Sequence, residues 1–231
     1  MRLDKYLANS GVGSRSEVKR LIKDKRIKVN GELIRSESFN VDETKDVVLF
    51  DDAEVRYKKF YYVLLNKPQG YVSAVIDNVY PPVLDLLPEY QFANLFPVGR
   101  LDVDTTGALL LTNNGDLAHN LLSPKYHVDK TYAVEVDKKL DPRLIDAFKN
   151  GVELDNELTL PANLVIIDDK NAELTIHQGK FHQVKRMFKK FGYEVRKLSR
   201  KSFAFLTTEG LELGEYRELT LEEEKKLETI V

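Results

Sequence analysis

Pro97-Val98-Gly99-Arg100-Leu101-Asp102-Val103-Asp104-Thr105-Thr106-Gly107 runs straight into Ala108-Leu109-Leu110-Leu111. One guanidinium, two carboxylates and two hydroxyls, bracketed by glycines, interrupt two apolar runs, so the chain must turn here and then enter a buried strand. A turn of this kind can hold one carboxylate rigidly beside a cation. Read alone, it equally suits a structural loop whose Asp side chains cap backbone N–H groups. Asp102 and Asp104 make a poor glycosidase pair, because residues two apart in one loop need not face a substrate from opposite sides.

Working outward, Phe60-Tyr61-Tyr62-Val63-Leu64-Leu65 is a short apolar run rich in strand formers, ended by Asn66-Lys67-Pro68-Gln69-Gly70. Further strands are predicted at 131–136, 164–167, 173–177 and 203–207. Asp141-Pro142 starts a helix that Gly151 closes, and Val184, Met187, Phe188 and Phe191 form the apolar stripe of another that stops at Gly192. Strands, intervening helices and hairpin-length turns together predict an α+β domain on a mainly antiparallel sheet.

The N-terminal region reads as a smaller unit. Ser14-Arg15-Ser16-Glu17 has the pattern of a capping box, and Val18, Leu21 and Ile22 follow at helical spacing. Ile27 and Val29 alternate with Lys28 into Asn30-Gly31, a hairpin signal, and a short helix is predicted over 3–8. The stretches 42–46 and 51–59 read as exit and linker. The expected division is 1–57 for this unit with its linker and 58–231 for the larger one.

The 35 Lys plus Arg and 37 Asp plus Glu give a formal charge of -2 that hides a strong segregation. Residues 1–35 carry a net +6, with Arg2, Lys5, Arg15, Arg20 and Lys28 among their basic groups, and residues 180–201 carry a net +8. Two basic islands in an acidic remainder suit a polyanion held at two places; the plainer reading is two solvated helix faces. With no cysteine, thiolate zinc sites and Cys nucleophiles are excluded, among them the thiolate that adds to uracil when carbon 5 is methylated. The four histidines lack metal-ligand spacing, so no metal is expected. Neither a membrane-spanning run nor an apolar leader is present, which predicts a cytoplasmic protein.

Arg2-Leu3-Asp4-Lys5-Tyr6-Leu7, Ser14-Arg15-Ser16 and Lys28-Val29-Asn30-Gly31 resemble the S4 RNA-binding domain in family order. Asn66-Lys67-Pro68-Gln69-Gly70-Tyr71, Gly99-Arg100-Leu101-Asp102 with Asp104-Thr105-Thr106-Gly107, Lys130-Thr131-Tyr132 and His182-Gln183-Val184-Lys185-Arg186-Met187-Phe188 follow in the order found in pseudouridine synthases. The closest resemblance is to the RsuA family, and it extends through Gly214-Glu215-Tyr216-Arg217. It implies isomerisation of a uridine in small-subunit (16S) ribosomal RNA without a cofactor. The expected partner is 16S rRNA within a small-subunit assembly intermediate, and the chain is expected to act as a monomer.

By the same resemblance Asp102 is the group that adds to the ribose or removes a ribose proton. An ionised Asp102 needs a nearby cation, which Lys185 or Arg186 can supply; Lys185 best matches the family's basic position. Tyr132 matches the aromatic that packs on the target base, although a strand Tyr taken alone is usually core. Arg100 resembles the residue that fills the space a flipped base leaves, and a salt bridge to Asp102 or Asp104 is its alternative. Leu198 corresponds to an apolar floor under the base. Arg186, Lys189 and Lys190 join the N-terminal cations as expected RNA contacts. The rival functions are a non-catalytic S4-type rRNA-binding assembly factor, with Asp102 structural, and an RNA N-glycosidase using the same carboxylate.

Overall fold

The computed structural model describes residues 1–230 and divides them into two compact units. The first comprises Met1–Tyr61 together with Leu87–Leu95. It begins with α1 (Leu3–Asn9) and α2 (Arg15–Lys23), followed by β1 (Ile27–Val29), β2 (Glu32–Leu33), β3 (Val48–Phe50) and β4 (Ala53–Glu54) in the sheet order β2-β1-β3-β4. The capping box is present in full: the Glu17 amide donates to Ser14 Oγ at 3.3 Å, and Glu17 Oε2 accepts from the Ser14 amide at 2.8 Å. Val18, Leu21 and Ile22 are buried with Leu3, Leu7, Ile27 and Val29, which closes the small core that the helical spacing predicts.

Two expectations for this region change. The linker over 51–59 contains β4, which pairs with β3 around Asp51 and Asp52. The segment Leu87–Leu95, read from sequence as part of the larger unit, belongs to the first one. Its Phe92 ring lies edge-on to Tyr61 at 5.5 Å, and a Cβ on Gly11 would come within 2.9 Å of that ring. Packing of Phe92 against Gly11, 81 residues earlier in the chain, has no local signature, so spacing alone does not reveal it.

The larger unit is built on a sheet whose main path runs β11-β12-β8-β13-β7-β5-β15. In chain order it contains β5 (Tyr62–Lys67), β6 (Phe96–Pro97), β7 (Thr106–Thr112), α3 (Gly115–Leu122), β8 (Lys130–Val136) and α4 (Arg143–Lys149). The small hairpin β9 (Glu153–Leu154) and β10 (Glu157–Leu158) precedes β11 (Asn163–Ile166), β12 (Asn171–Ile176) and α5 (Gln183–Lys190). β13 (Val195–Phe203), β14 (Leu206–Thr207), β15 (Tyr216–Glu218) and α6 (Leu221–Ile230) complete it. All pairings are antiparallel except that of β13 with β7. Val63 to Leu65 and Ala108 to Leu111 are fully buried, as adjacent strands covered on both faces require.

The sequence reading misses β13, the strand that joins the two halves of this sheet. Its Arg196, Lys197, Arg200 and Lys201 obscure the alternation, and the predicted strand over 203–207 is the last residue of β13, the turn after it and β14. The second basic island is therefore a helix followed by a strand. Where β13 meets β7, Gly107 (φ 104°) leaves room for the Arg200 carbonyl, which would lie 2.2 Å from a Cβ placed there. Phe191, assigned to the buried stripe of α5, instead stands at its C-cap and is 40% exposed.

Candidate active site

The turn before β7 is held from the end of β5. Lys67, fully buried, donates from Nζ to the carbonyls of Asp102 at 3.0 Å and Thr105 at 2.9 Å, and also to those of Pro68 and Val103. Burial pushes its amine down to about 8, against the pull of Asp104 and Asp102 in the other direction. Ser73 Oγ bonds both the amide and the carbonyl of Leu101 at 3.0 Å, and the Gly70 amide donates to Val103 O at 2.9 Å. Every one of these bonds goes to backbone, so the Asp102 carboxylate is left free for other partners.

Those partners come from α5 and the residue before it. Lys185 Nζ lies 3.0 Å from Asp102 Oδ2 and 2.6 Å from Asp104 Oδ1, one ammonium bridging both carboxylates. His182 Nε2 is 3.3 Å from Asp102 Oδ1. Desolvation works against the Lys185 charge, but hydrogen bonds to Asp104 and Asp102 outweigh it and raise its pKa. The Asp104 carboxyl is likewise held below its ordinary value, its own desolvation being overcome by Lys185. Arg186, the alternative cation, points elsewhere: its Nη2 pairs with Asp155 at 2.5 Å. Neighbouring residues on a helix diverge by about 100°, so only one of the two can meet the turn.

Asp102, Lys185, Arg100, Tyr132 and Leu198 all line one cavity of about 880 Å³. Tyr132 and Leu198 are buried in its wall on the neighbouring strands β8 and β13. Arg100 is exposed and, among the described residues, makes no ion pair with Asp102 or Asp104. The cations expected at RNA divide differently. Lys5, Arg15, Arg20, Lys189 and Lys190 are exposed, whereas Arg2 pairs with Asp4 at 2.9 Å and Lys28 with Asp52 at 2.6 Å.

Four residues near this cavity were not assigned a role from sequence: Lys67, Lys130, His182 and Arg200. Lys130 and Arg200 are buried in its wall. A lone Lys closing an apolar strand, and an Arg two residues from an inward Leu, are the only local signals. Both become meaningful once strand register is known. Among the described residues, no group of three or more His, Asp or Glu side chains is placed to hold a metal ion. Among them, too, no helix is long and apolar enough to cross a membrane.

Comparison with known proteins bears on this geometry. Residues 61–190 match the family model described as RNA pseudouridylate synthase, and residues 1–48 match the S4 domain. The chain is 45% identical to the uncharacterized RNA pseudouridine synthase YtzG of Bacillus subtilis (strain 168), over 96% of each chain. It is 39% identical to the ribosomal small subunit pseudouridine synthase A of Haemophilus influenzae, over 98% of this chain and 99% of that one. The ribosomal large subunit pseudouridine synthase B of Bacillus subtilis is also 39% identical, over 99% and 96%. A crystal structure of a pseudouridylate synthase superimposes with a TM-score of 0.69 at 37% identity, each chain covered in full.

Proposed function

The chain belongs to the RNA pseudouridylate synthase family and is an RNA pseudouridine synthase with an N-terminal S4 domain, and from that premise we propose that it converts a specific uridine of small-subunit ribosomal RNA to pseudouridine through Asp102. The observation that carries the assignment of Asp102 is its position. Its backbone is pinned by Lys67, and its carboxylate faces the cavity between Lys185 and His182. The Lys185 ammonium lies against the carboxylate that either attack on the ribose or removal of a ribose proton would use. Asp104 shares the same ammonium but is far more exposed, its side chain 69% accessible against 26% for Asp102.

Tyr132 supplies an aromatic face for the extracted base, and Leu198 an apolar contact beside it. Arg100, exposed at the same cavity and unpaired with either carboxylate, is free to occupy the place a flipped nucleotide vacates. The S4 unit contributes exposed cations, among them Lys5, Arg15 and Arg20, for phosphate contacts. The reaction needs no cofactor, because the bond from ribose C1′ to N1 is exchanged for one to C5 with no net change in atoms or oxidation state.

The small-subunit assignment follows the small-subunit relatives, and the large-subunit relative makes the opposing case at the same identity. Tritium release from 5-tritiated uridine in 16S and in 23S rRNA, each naked and within partly assembled subunits, decides between them. Release from 16S rRNA alone is expected. Release from 23S rRNA alone reverses the choice of subunit. Free uracil instead of pseudouridine points to a glycosidase, and unchanged RNA to a binding factor.

A further inference from the structure

Lys130 and Tyr132 on β8, with Leu198 and Arg200 on β13, face the cavity from adjoining positions of one sheet face. The register sets Arg200 opposite Tyr132 and Phe203 opposite Lys130. Two of these wall residues are cations nearly sealed from water, Arg200 being 2% exposed and Lys130 4%. Neither makes an ion pair among the described residues. Lys130 Nζ donates to the Val128 carbonyl at 3.0 Å and Arg200 Nε to the Ala108 carbonyl at 2.7 Å. Both charges also lie over the Phe203 ring, at 5.6 and 5.1 Å. Arg200 Nη2 is buried with no hydrogen-bond partner. Burial, together with the Arg200 charge, brings the Lys130 amine down to about 8, which still leaves it mostly protonated at neutral pH.

Buried charge without a counter-ion is unfavourable and calls for a compensating partner. We propose that Lys130 and Arg200 form an anion site for the departing uracil, holding the negative charge that the base carries while it is detached from ribose. This deepens the isomerase reading and rests on it. When the bond between C1′ and N1 breaks, its electron pair leaves with N1 and spreads over the carbonyl oxygens of the ring. The sugar is compensated either by a new bond from Asp102 to C1′ or by loss of its C2′ proton to that carboxylate. When C5 then bonds to C1′, the bond from Asp102 to C1′ breaks or the C2′ proton returns from that carboxylate; the C5 proton is released and N1 takes one up, so nothing else is consumed. Ammonium and guanidinium groups can only donate, which suits them to carbonyl oxygens. Fixed in a wall that excludes water, they act most strongly on charge that exists only once the bond has begun to break.

The test compares two leaving groups in the full-length chain. An RNA transcript that the wild-type chain converts is made with either uridine or 5-fluorouridine at the target, and consumption of the parent nucleoside is followed in single turnover at saturating enzyme. Fluorine withdraws electrons from the ring, so its anion needs less help. Lys130→Met and Arg200→Gln are each expected to slow consumption of uridine about a hundred-fold and that of 5-fluorouridine several-fold less. Arg200→Lys, which keeps the charge, should retain most of the rate. Equal losses with both bases in both neutral variants would overturn the anion site, because a disturbed fold slows both alike. A wild-type chain that converts no ribosomal RNA transcript would overturn the isomerase reading, and this site with it.

Discussion

The two basic islands look alike in sequence and fare differently in the fold. In the first, Lys5, Arg15 and Arg20 remain on the surface of a small unit, Lys19 and Lys28 meet the carboxylates of the half-buried Glu37 and the exposed Asp52, and the exposed Arg2 pairs with the buried Asp4. In the second, α5 and β13 turn some of the charge inward: Lys185 is held between Asp102 and Asp104, and Arg200 is buried in the cavity wall. Lys189 and Lys190, one turn after Lys185 and Arg186, stay outside. The net charge of a segment therefore measures its attraction to a polyanion but not its chemistry. A cation near the surface is screened by water and salt, whereas one in a wall acts at full strength on whatever occupies the cavity.

The largest effect should come from the carboxylate that the inner cations serve. Asp102→Asn keeps size and hydrogen-bonding capacity but removes the charge, and is expected to lower single-turnover isomerisation by at least about a thousand-fold. RNA affinity and the unfolding midpoint should hardly move. Substantial turnover by this variant would remove Asp102 from the mechanism. Next in size, Lys185→Met should slow the chemical step about thirty-fold at saturating RNA while leaving affinity nearly unchanged. Asp104→Asn should cost less than about ten-fold, because Lys185 can then turn wholly to Asp102. Comparable losses for Asp104→Asn and Asp102→Asn would revive a paired-carboxylate mechanism.

The outer cations should give the reverse pattern. Arg15→Ala with Arg20→Ala, and separately Lys189→Ala with Lys190→Ala, are expected to weaken rRNA binding and to lower the slope of log affinity against log salt by about one per residue removed. The rate at saturating RNA should hold. If either pair slowed saturated chemistry without changing the salt slope, the division between inner and outer cations would fail.

The smallest effect is on stability against pH. Lys67 and Lys130 have amines lowered from 10.5 to about 8 by burial, so the folded protein gives up these protons before the unfolded chain does. Between those two values the unfolded chain binds more protons, and stability should rise with pH; below about 8 the dependence from these groups disappears. Urea midpoints measured at several pH values across that window should climb in the wild type and climb less in Lys130→Met. An identical climb in both would mean that Lys130 keeps an ordinary pKa.

Much of the candidate site was legible because its parts are local. The Asp102 turn is marked by its glycines, and Lys185 by the i, i+3, i+4 stripe that sends it off the buried face of α5. The capping box at Ser14 and the Asn30-Gly31 hairpin were readable for the same reason, since each is complete within a few residues. Lys67, Arg200 and β13 were not. Lys67 acts on carbonyls some 35 residues away, and Arg200 on one 92 residues away. No pattern in a single strand records which backbone will lie beside it.

By itself the sequence determined the α+β class, the two charged islands and the loop that bears the carboxylate, because composition, periodicity and turn chemistry act over short stretches of chain; the family entered through the resemblance of its motifs. Tertiary structure alone decided that Lys185 and not Arg186 meets Asp102, that Leu87–Leu95 packs with the N-terminal unit, and that Arg200 and Lys130 share a wall with Tyr132. The physical reason is register. Helix phase and strand pairing fix which side chains face a common cavity, and both are set by burial of the whole sheet, not by the residues that end up facing each other.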